Sequence, residues 1–112
     1  STTLRLRLGD LNKGPEALIA EFKADSPALA GLYGPRRSGN SKVFAPVAAA
    51  NKLAQVSASA TNPALSDSEA FPFFLRTVAS DSLQAFAIVE VMRRFGWNRA
   101  VTFREEADTY SV

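Results

Sequence analysis

Between Gly34 and Ser41 the chain reads Gly-Pro-Arg-Arg-Ser-Gly-Asn-Ser, and both the arginines and the serines of this run can engage an anion. The spacing Gly34-x-x-x-x-Gly39-Asn40-Ser41 is one residue away from the phosphate-cradling Gly-x-x-x-x-Gly-Lys-Ser/Thr loop. The residue that differs is the lysine, whose ammonium has to reach the terminal phosphates, and Lys42 stands displaced from that place. Two other readings share the same residues. One is a solvated strand-to-helix turn without a ligand. The other is a helix start whose free N–H groups and positive dipole end, with Ser38, hold a carboxylate. Ser59 and Thr61 follow at the next candidate strand end, where a hydroxyl also serves as an ordinary turn cap.

Composition removes several kinds of chemistry. The 112 residues contain no cysteine and no histidine, so this sequence supplies no Ser-His-Asp triad, no Cys-His dyad and no thiolate or imidazole zinc ligands. No cofactor and no metal are expected. Glu105, Glu106 and Asp108 lack the spaced ligand loop of a hard-cation site and read as a wet edge. Thirteen basic against eleven acidic residues leave a net charge of +2, too weak a field for nucleic acid, and the arginines are scattered. Phe71, Phe73 and Phe74 lack a flanking basic groove and are expected in packing rather than base stacking. No run of about 18 apolar residues and no basic-then-apolar leader occurs, so the segment is expected to make no membrane contact and to carry no secretion signal of its own.

The positioning elements follow from periodicity. Leu4, Leu6 and Leu8 alternate with Arg5 and Arg7, the pattern of an edge strand. Residues 10–14 read as a turn and Pro15 opens a helix to about Ala24, with Leu18, Ile19 and Phe22 on its apolar face. Leu29 to Tyr33 reads as a buried parallel strand. A helix from Ser38–Ser41 to about Leu53 passes Pro46, a strand covers Gln55–Ser57, residues 61–70 form a loop, and Phe73–Val78 is extended. Ser80 caps the longest helix, with Asp81 in its first turn and Ile88, Val91, Met92 and Phe95 at helical spacing. Gly96 ends it, Trp97 is expected as a hydrophobic anchor, and Arg99–Arg104 reads as a last strand. Strands alternating with helices predict an α/β fold with a parallel sheet.

Read in order, Leu32-Tyr33-Gly34-Pro35, Gln55-Val56-Ser57, Asn62-Pro63-Ala64-Leu65-Ser66-Asp67, Phe73-Phe74-Leu75-Arg76-Thr77-Val78, Asp81-Ser82-Leu83-Gln84-Ala85 and Phe95-Gly96-Trp97 form a specific succession. It resembles the ligand-binding module of the type I periplasmic-binding-protein class, in the branch of natriuretic peptide, metabotropic glutamate and GABA-B receptors. The resemblance implies a Rossmann-like parallel sheet forming an incomplete first lobe of a two-lobed clamshell over residues 1–96, with the start of the second lobe at 97–112.

What the resemblance further implies is a non-enzymatic receptor module, extracellular or periplasmic, that binds a small polar, amino-acid-like or carboxylate ligand in the interlobe cleft and signals by closure. Ser38 would hold the carboxylate, Ser59 and Thr61 would hold carboxylate and amine, and Tyr110 would swing in from lobe two. Arg37 is a possible anion contact and departs from the family's small residue or cysteine there. Gly39, Ala58 and Ser111 depart from the pattern as well, which leaves the ligand open. The alternative is a ligand-free structural or dimerisation module that joins a second subunit through the helix at 40–53. The resemblance also implies that the remainder of a receptor chain is a partner. With Leu4–Leu8 matching the family's second strand, the central strand is missing, so the chain is expected to be a fragment or to borrow a strand, and to be unstable or strand-swapped alone.

Overall fold

The computed structural model describes residues 6–25 and 29–103. Three strands, β1 (Gly31–Tyr33), β2 (Ala54–Ser57) and β3 (Phe74–Arg76), form a parallel sheet in the order β1-β2-β3. Among the described residues three α-helices accompany them: α1 (Pro15–Asp25), α2 (Ser38–Ala50) and α3 (Asp81–Arg94). The expected α/β fold with a parallel sheet is present.

Register decides which side chains meet. Gly31, Leu32 and Tyr33 lie opposite Ala54, Gln55 and Val56, and Gln55, Val56 and Ser57 lie opposite Phe74, Leu75 and Arg76. Neighbours across a parallel pair share a face, so Leu32, Gln55 and Phe74 make one row, and Tyr33, Val56 and Leu75 the other. The first row is covered: Gln55 is fully buried and Phe74 nearly so. The second is largely uncovered, with Tyr33 75% and Leu75 59% exposed on either side of a half-buried Val56. The expectation of a buried strand at Leu29–Tyr33 is therefore corrected to a half-covered strand at the sheet's edge.

Helix α2 builds the covered side. Its buried residues Ser38, Ser41, Phe44, Ala45 and Ala48 recur at three- and four-residue intervals, which is one helical stripe. Ala45 joins Ala60, Leu65 and Phe74 in one apolar cluster, with Phe71 against it, and Ala48 joins Ile19 of α1 and Leu53 in another. Small residues on this stripe let α2 lie close to both neighbours. The helix runs on through Pro46, whose exposed position leaves solvent to take up the missing amide bond. It ends in a Schellman turn: Lys52 N–H reaches Ala49 O and Leu53 N–H reaches Ala48 O, both at 2.9 Å, with Lys52 left-handed at φ 54°. Leu53 then packs on Ala48, the contact that usually accompanies this turn.

Two expected strands are corrected. Of the Leu4–Leu8 segment, residues 4 and 5 lie outside the described residues, and Leu6–Leu8 are exposed and outside the sheet. Residues 99–103 of the expected Arg99–Arg104 strand are likewise irregular and exposed, and Arg104 lies outside the description. The reason is the same in both cases, because alternation marks a strand only where a neighbouring backbone offers a ladder. Helix α3 starts as expected, with Ser80 Oγ accepting from Ser82 N–H, yet it buries none of its residues. Trp97 is 59% exposed and, among the described residues, stacks on Phe95 alone, with ring centroids 5.2 Å apart, so the anchor is a local pair.

Candidate functional site

The turn from Pro35 to Ser38 is held at several points. Pro35 O accepts from Ser41 Oγ at 2.9 Å and from Ser57 Oγ at 2.8 Å. Arg36 O accepts from Ser59 Oγ at 3.0 Å, and Ser38 Oγ accepts the N–H of Asn62 at 3.2 Å. Ser57 Oγ also takes the N–H of Ala60 at 3.2 Å. Hydroxyls from β2 and the loop after it thus staple the β1–α2 turn to the β2–β3 turn. Buried polar groups of this kind are favourable only when paired, and Ser38, Ser41 and Ser57 are nearly inaccessible yet bonded. Gln55 is the exception: its Nε2 reaches Ser41 O only at 3.5 Å and its buried Oε1 has no partner.

Outside this framework stand the two guanidiniums. Arg36, Arg37 and Ser59 line an open recess of about 330 Å³ at the start of α2. Arg37 is the helix's N-cap residue without a capping side-chain bond, and among the described residues neither arginine has an acidic partner. Two cations beside the positive end of a helix repel it and each other, a cost removed by solvent or by an anion. The recess can therefore receive a carboxylate or similar anion at a fixed turn.

The structure brings Ser38, Ser59, Thr61 and Arg37 into this one pair of turns, while Tyr110 lies outside the described residues. Their hydroxyls are already engaged. Ser38 is 1% exposed and bonded to Asn62, Ser59 donates to Arg36 O, and Thr61, 5% exposed, donates to Asp81 Oδ2 at 3.0 Å. Three residues missed by the sequence reading organise the turns. Arg76 Nη1 donates to Ala60 O at 3.2 Å and Asn62 O at 3.0 Å, and its Nη2 bonds Ser66 Oγ. Asn62 Oδ1 caps the short Pro63–Ser66 turn through Ala64 N–H at 3.0 Å. Asp81 receives Thr61's hydroxyl and returns its own N–H to Thr61 O at 3.0 Å. The Asn-Pro pair signals such a turn in sequence; Arg76 and Asp81, far along the chain, give no local signal. Asn51, on the helix considered for dimer contact, is used within the chain, accepting from Lys23 Nζ at 2.8 Å and donating to Val47 O. Among the described residues no group of three His, Cys, Asp or Glu side chains is placed to hold a metal, and no helix is long and apolar enough to cross a membrane.

A parallel sheet with its strand-end turns beside an open recess lined by Arg36, Arg37 and Ser59 defines an α/β unit with a candidate anion site. The chain belongs to the receptor family ligand binding region, which its residues 7–111 match. It is 35% identical over 80 residues to metabotropic glutamate receptor 8 of Homo sapiens, covering 71% of this chain and 9% of that receptor. Similarity to taste receptor type 1 member 3 of Canis lupus familiaris is 38% over 82 residues, covering 73% of this chain and 10% of the relative. With gamma-aminobutyric acid type B receptor subunit 2 of Rattus norvegicus, identity is 37% over 59 residues, 53% of this chain and 6% of the relative. The chain thus spans a tenth or less of the length of these relatives, all of which are receptors.

Proposed function

We propose that this chain is the ligand-recognition segment of a receptor, non-enzymatic and facing the extracellular or periplasmic side of a membrane, that takes a small amino-acid-like or carboxylate ligand. The recess at the start of α2 carries this reading: among the described residues Arg36 and Arg37 stand without acidic partners, on a turn stapled by Ser41, Ser57 and Ser59. In it the anionic end of the ligand lies against Arg37 and the first turn of α2, with Ser38, Ser59 and Thr61 behind it. Residues 1–96 serve as part of lobe one and 97–112 as the beginning of lobe two, from which Tyr110 closes on the ligand. Relatives named for glutamate and gamma-aminobutyric acid support an amino acid as the ligand class. Calorimetric titration of the full-length polypeptide with the standard L-amino acids and γ-aminobutyrate tests this. Saturable binding of at least one is expected, and no binding tighter than about 1 mM for any of them would overturn the reading.

A second reading, a ligand-free assembly module, is favoured by exposed Tyr33 and Leu75 in the row they share with half-buried Val56, and by Val43, 59% exposed on α2. Parallel sheets are normally covered on both faces, and a second subunit against helix 40–53 or this row would supply cover. Sedimentation at several concentrations separates the two, since this reading requires self-association without any added ligand.

A further inference from the structure

The two guanidiniums that line the recess stand on a backbone fixed at each residue of the turn. Pro35 O accepts from Ser41 Oγ and Ser57 Oγ, Arg36 O accepts from Ser59 Oγ, and Arg37 O accepts the N–H of Ser41 at 2.9 Å. Although adjacent in sequence, both side chains line the same open space of about 330 Å³, with Ser59 beside them. Ser59 spends its hydroxyl proton on Arg36 O, so the side-chain donors of the recess are the guanidiniums. The lining holds no carboxylate, and among the described residues neither arginine has an acidic partner.

Charge and donor number together decide what fits this pair. Each guanidinium presents a rigid fork of N–H donors, and one fork satisfies both oxygens of a carboxylate and cancels its single charge. A lone carboxylate therefore leaves the second guanidinium uncompensated, next to a like charge. A phosphate monoester carries about −1.5 to −2 charge at neutral pH on three acceptor oxygens. It meets two forks in charge and in acceptors at once, and a turn already fixed by its own hydrogen bonds loses little freedom in holding it.

We propose that Arg36 and Arg37 form a two-guanidinium clamp for a doubly charged phosphate group carried on a small molecule, which the recess takes in preference to a single carboxylate. The inference rests on the reading that the recess receives the anionic end of the ligand, and adds that this end bears two charges. It also carries its own signature in pH. With no histidine and no cysteine, the sequence has no side chain whose ordinary pKa lies between 5 and 7.5. A change of affinity over that range then follows the second ionisation of the phosphate ester, near a pKa of about 6.

The test is calorimetric titration of the full-length polypeptide with glycerol phosphate and with glycerate, its carboxylate counterpart, alongside the amino acids named above. Glycerol phosphate is expected to bind about tenfold or more tighter than glycerate at pH 7.5, and to lose about tenfold by pH 5 while glycerate stays unchanged. Arg36→Ala and Arg37→Ala should each weaken the phosphate ester by about tenfold without moving the unfolding midpoint, and Arg37→Lys, which keeps the charge and loses the fork, should recover only part. Equal affinity for the two compounds, a preference that ignores pH, or phosphate binding that survives both alanine variants would each overturn the clamp. Displacement of the ester by an equal concentration of chloride would overturn it too, since a halide has one charge. Inorganic phosphate bound as tightly as the ester would overturn the small-molecule carrier and assign the free ion. Amino-acid binding with no phosphate preference would overturn this inference and leave the ligand-recognition reading standing, whereas no binding by any compound would bring down both.

Discussion

Arg76, on the last strand of the sheet, holds the carbonyl oxygen of Asn62 at 3.0 Å and that of Ala60 at 3.2 Å, so one guanidinium brackets the turn that carries Thr61. A planar fork with fixed donors suits two convergent carbonyls and the Ser66 hydroxyl together. Arg76 is half-buried, so its aliphatic stem also covers part of the turn.

Removing that fork should be costly. Arg76→Ala is expected to destabilise the fold by about 3 kcal/mol, because carbonyls left facing a withdrawn charge lose charge-assisted bonds. Arg76→Lys should recover little, since a single ammonium cannot span three acceptors in this geometry. Urea unfolding of the variants measures both, and a change near zero would show that the Asn62 cap holds the turn unaided.

Ligand-site variants separate by what else each residue does. The Arg37 side chain has no bond to the rest of the described chain, so Arg37→Ala, which keeps the backbone bond from Ser41 N–H to its carbonyl, should weaken an anionic ligand by about 1 to 2 kcal/mol and leave the unfolding midpoint unchanged. Ser38→Ala should lose stability as well, about 1 to 2 kcal/mol, because it abandons the buried Asn62 N–H. Paired calorimetry and denaturation distinguish them, and unaltered affinity in both variants would remove them from the site.

Lys52 occupies the left-handed position of the α2 Schellman turn, at φ 54°, where a side chain is strained and glycine is not. Lys52→Gly should therefore stabilise the protein by about 0.5 to 1 kcal/mol despite glycine's extra freedom when unfolded. A lower thermal midpoint than the parent would mean that the lysine side chain contributes more than the backbone strain costs.

Lys13 and Glu21 pair at 2.8 Å on the surface, and the hydrogen bond to Glu21, followed by that carboxylate's charge, raises the Lys13 pKa above its ordinary 10.5. A raised lysine pKa means the folded state holds the proton more tightly, so the contribution is full below 10.5 and fades as pH climbs through the higher folded value. Glu21→Gln should narrow the stability gap to the parent only at strongly alkaline pH. Because the pair is exposed, the gap at neutral pH should be small and should shrink further in high salt. Denaturation series at neutral and alkaline pH, with and without salt, check the sign.

Much of the local architecture was legible in the sequence because local rules write it there. Pro15 at a helix start, Ser80 before α3, Gly34 after β1 and the Asn62-Pro63 turn each obey a constraint that spans a few residues. Hydroxyls at 38, 59 and 61 could be singled out for the same reason, as could the run of small residues that α2 lays on the sheet. What each hydroxyl does could not, because direction of donation depends on a partner distant in the chain: Asn62 for Ser38, Arg36 for Ser59, Asp81 for Thr61. Alternation at Leu4–Leu8 and the pattern of Val101 and Phe103 marked strands that Leu6–Leu8 and residues 99–103 do not form, since a strand is completed by its neighbour's backbone rather than by its own side chains. The apolar spacing of α3 likewise states that the helix has a face to bury, but only tertiary packing decides against what, and among the described residues that face stays exposed.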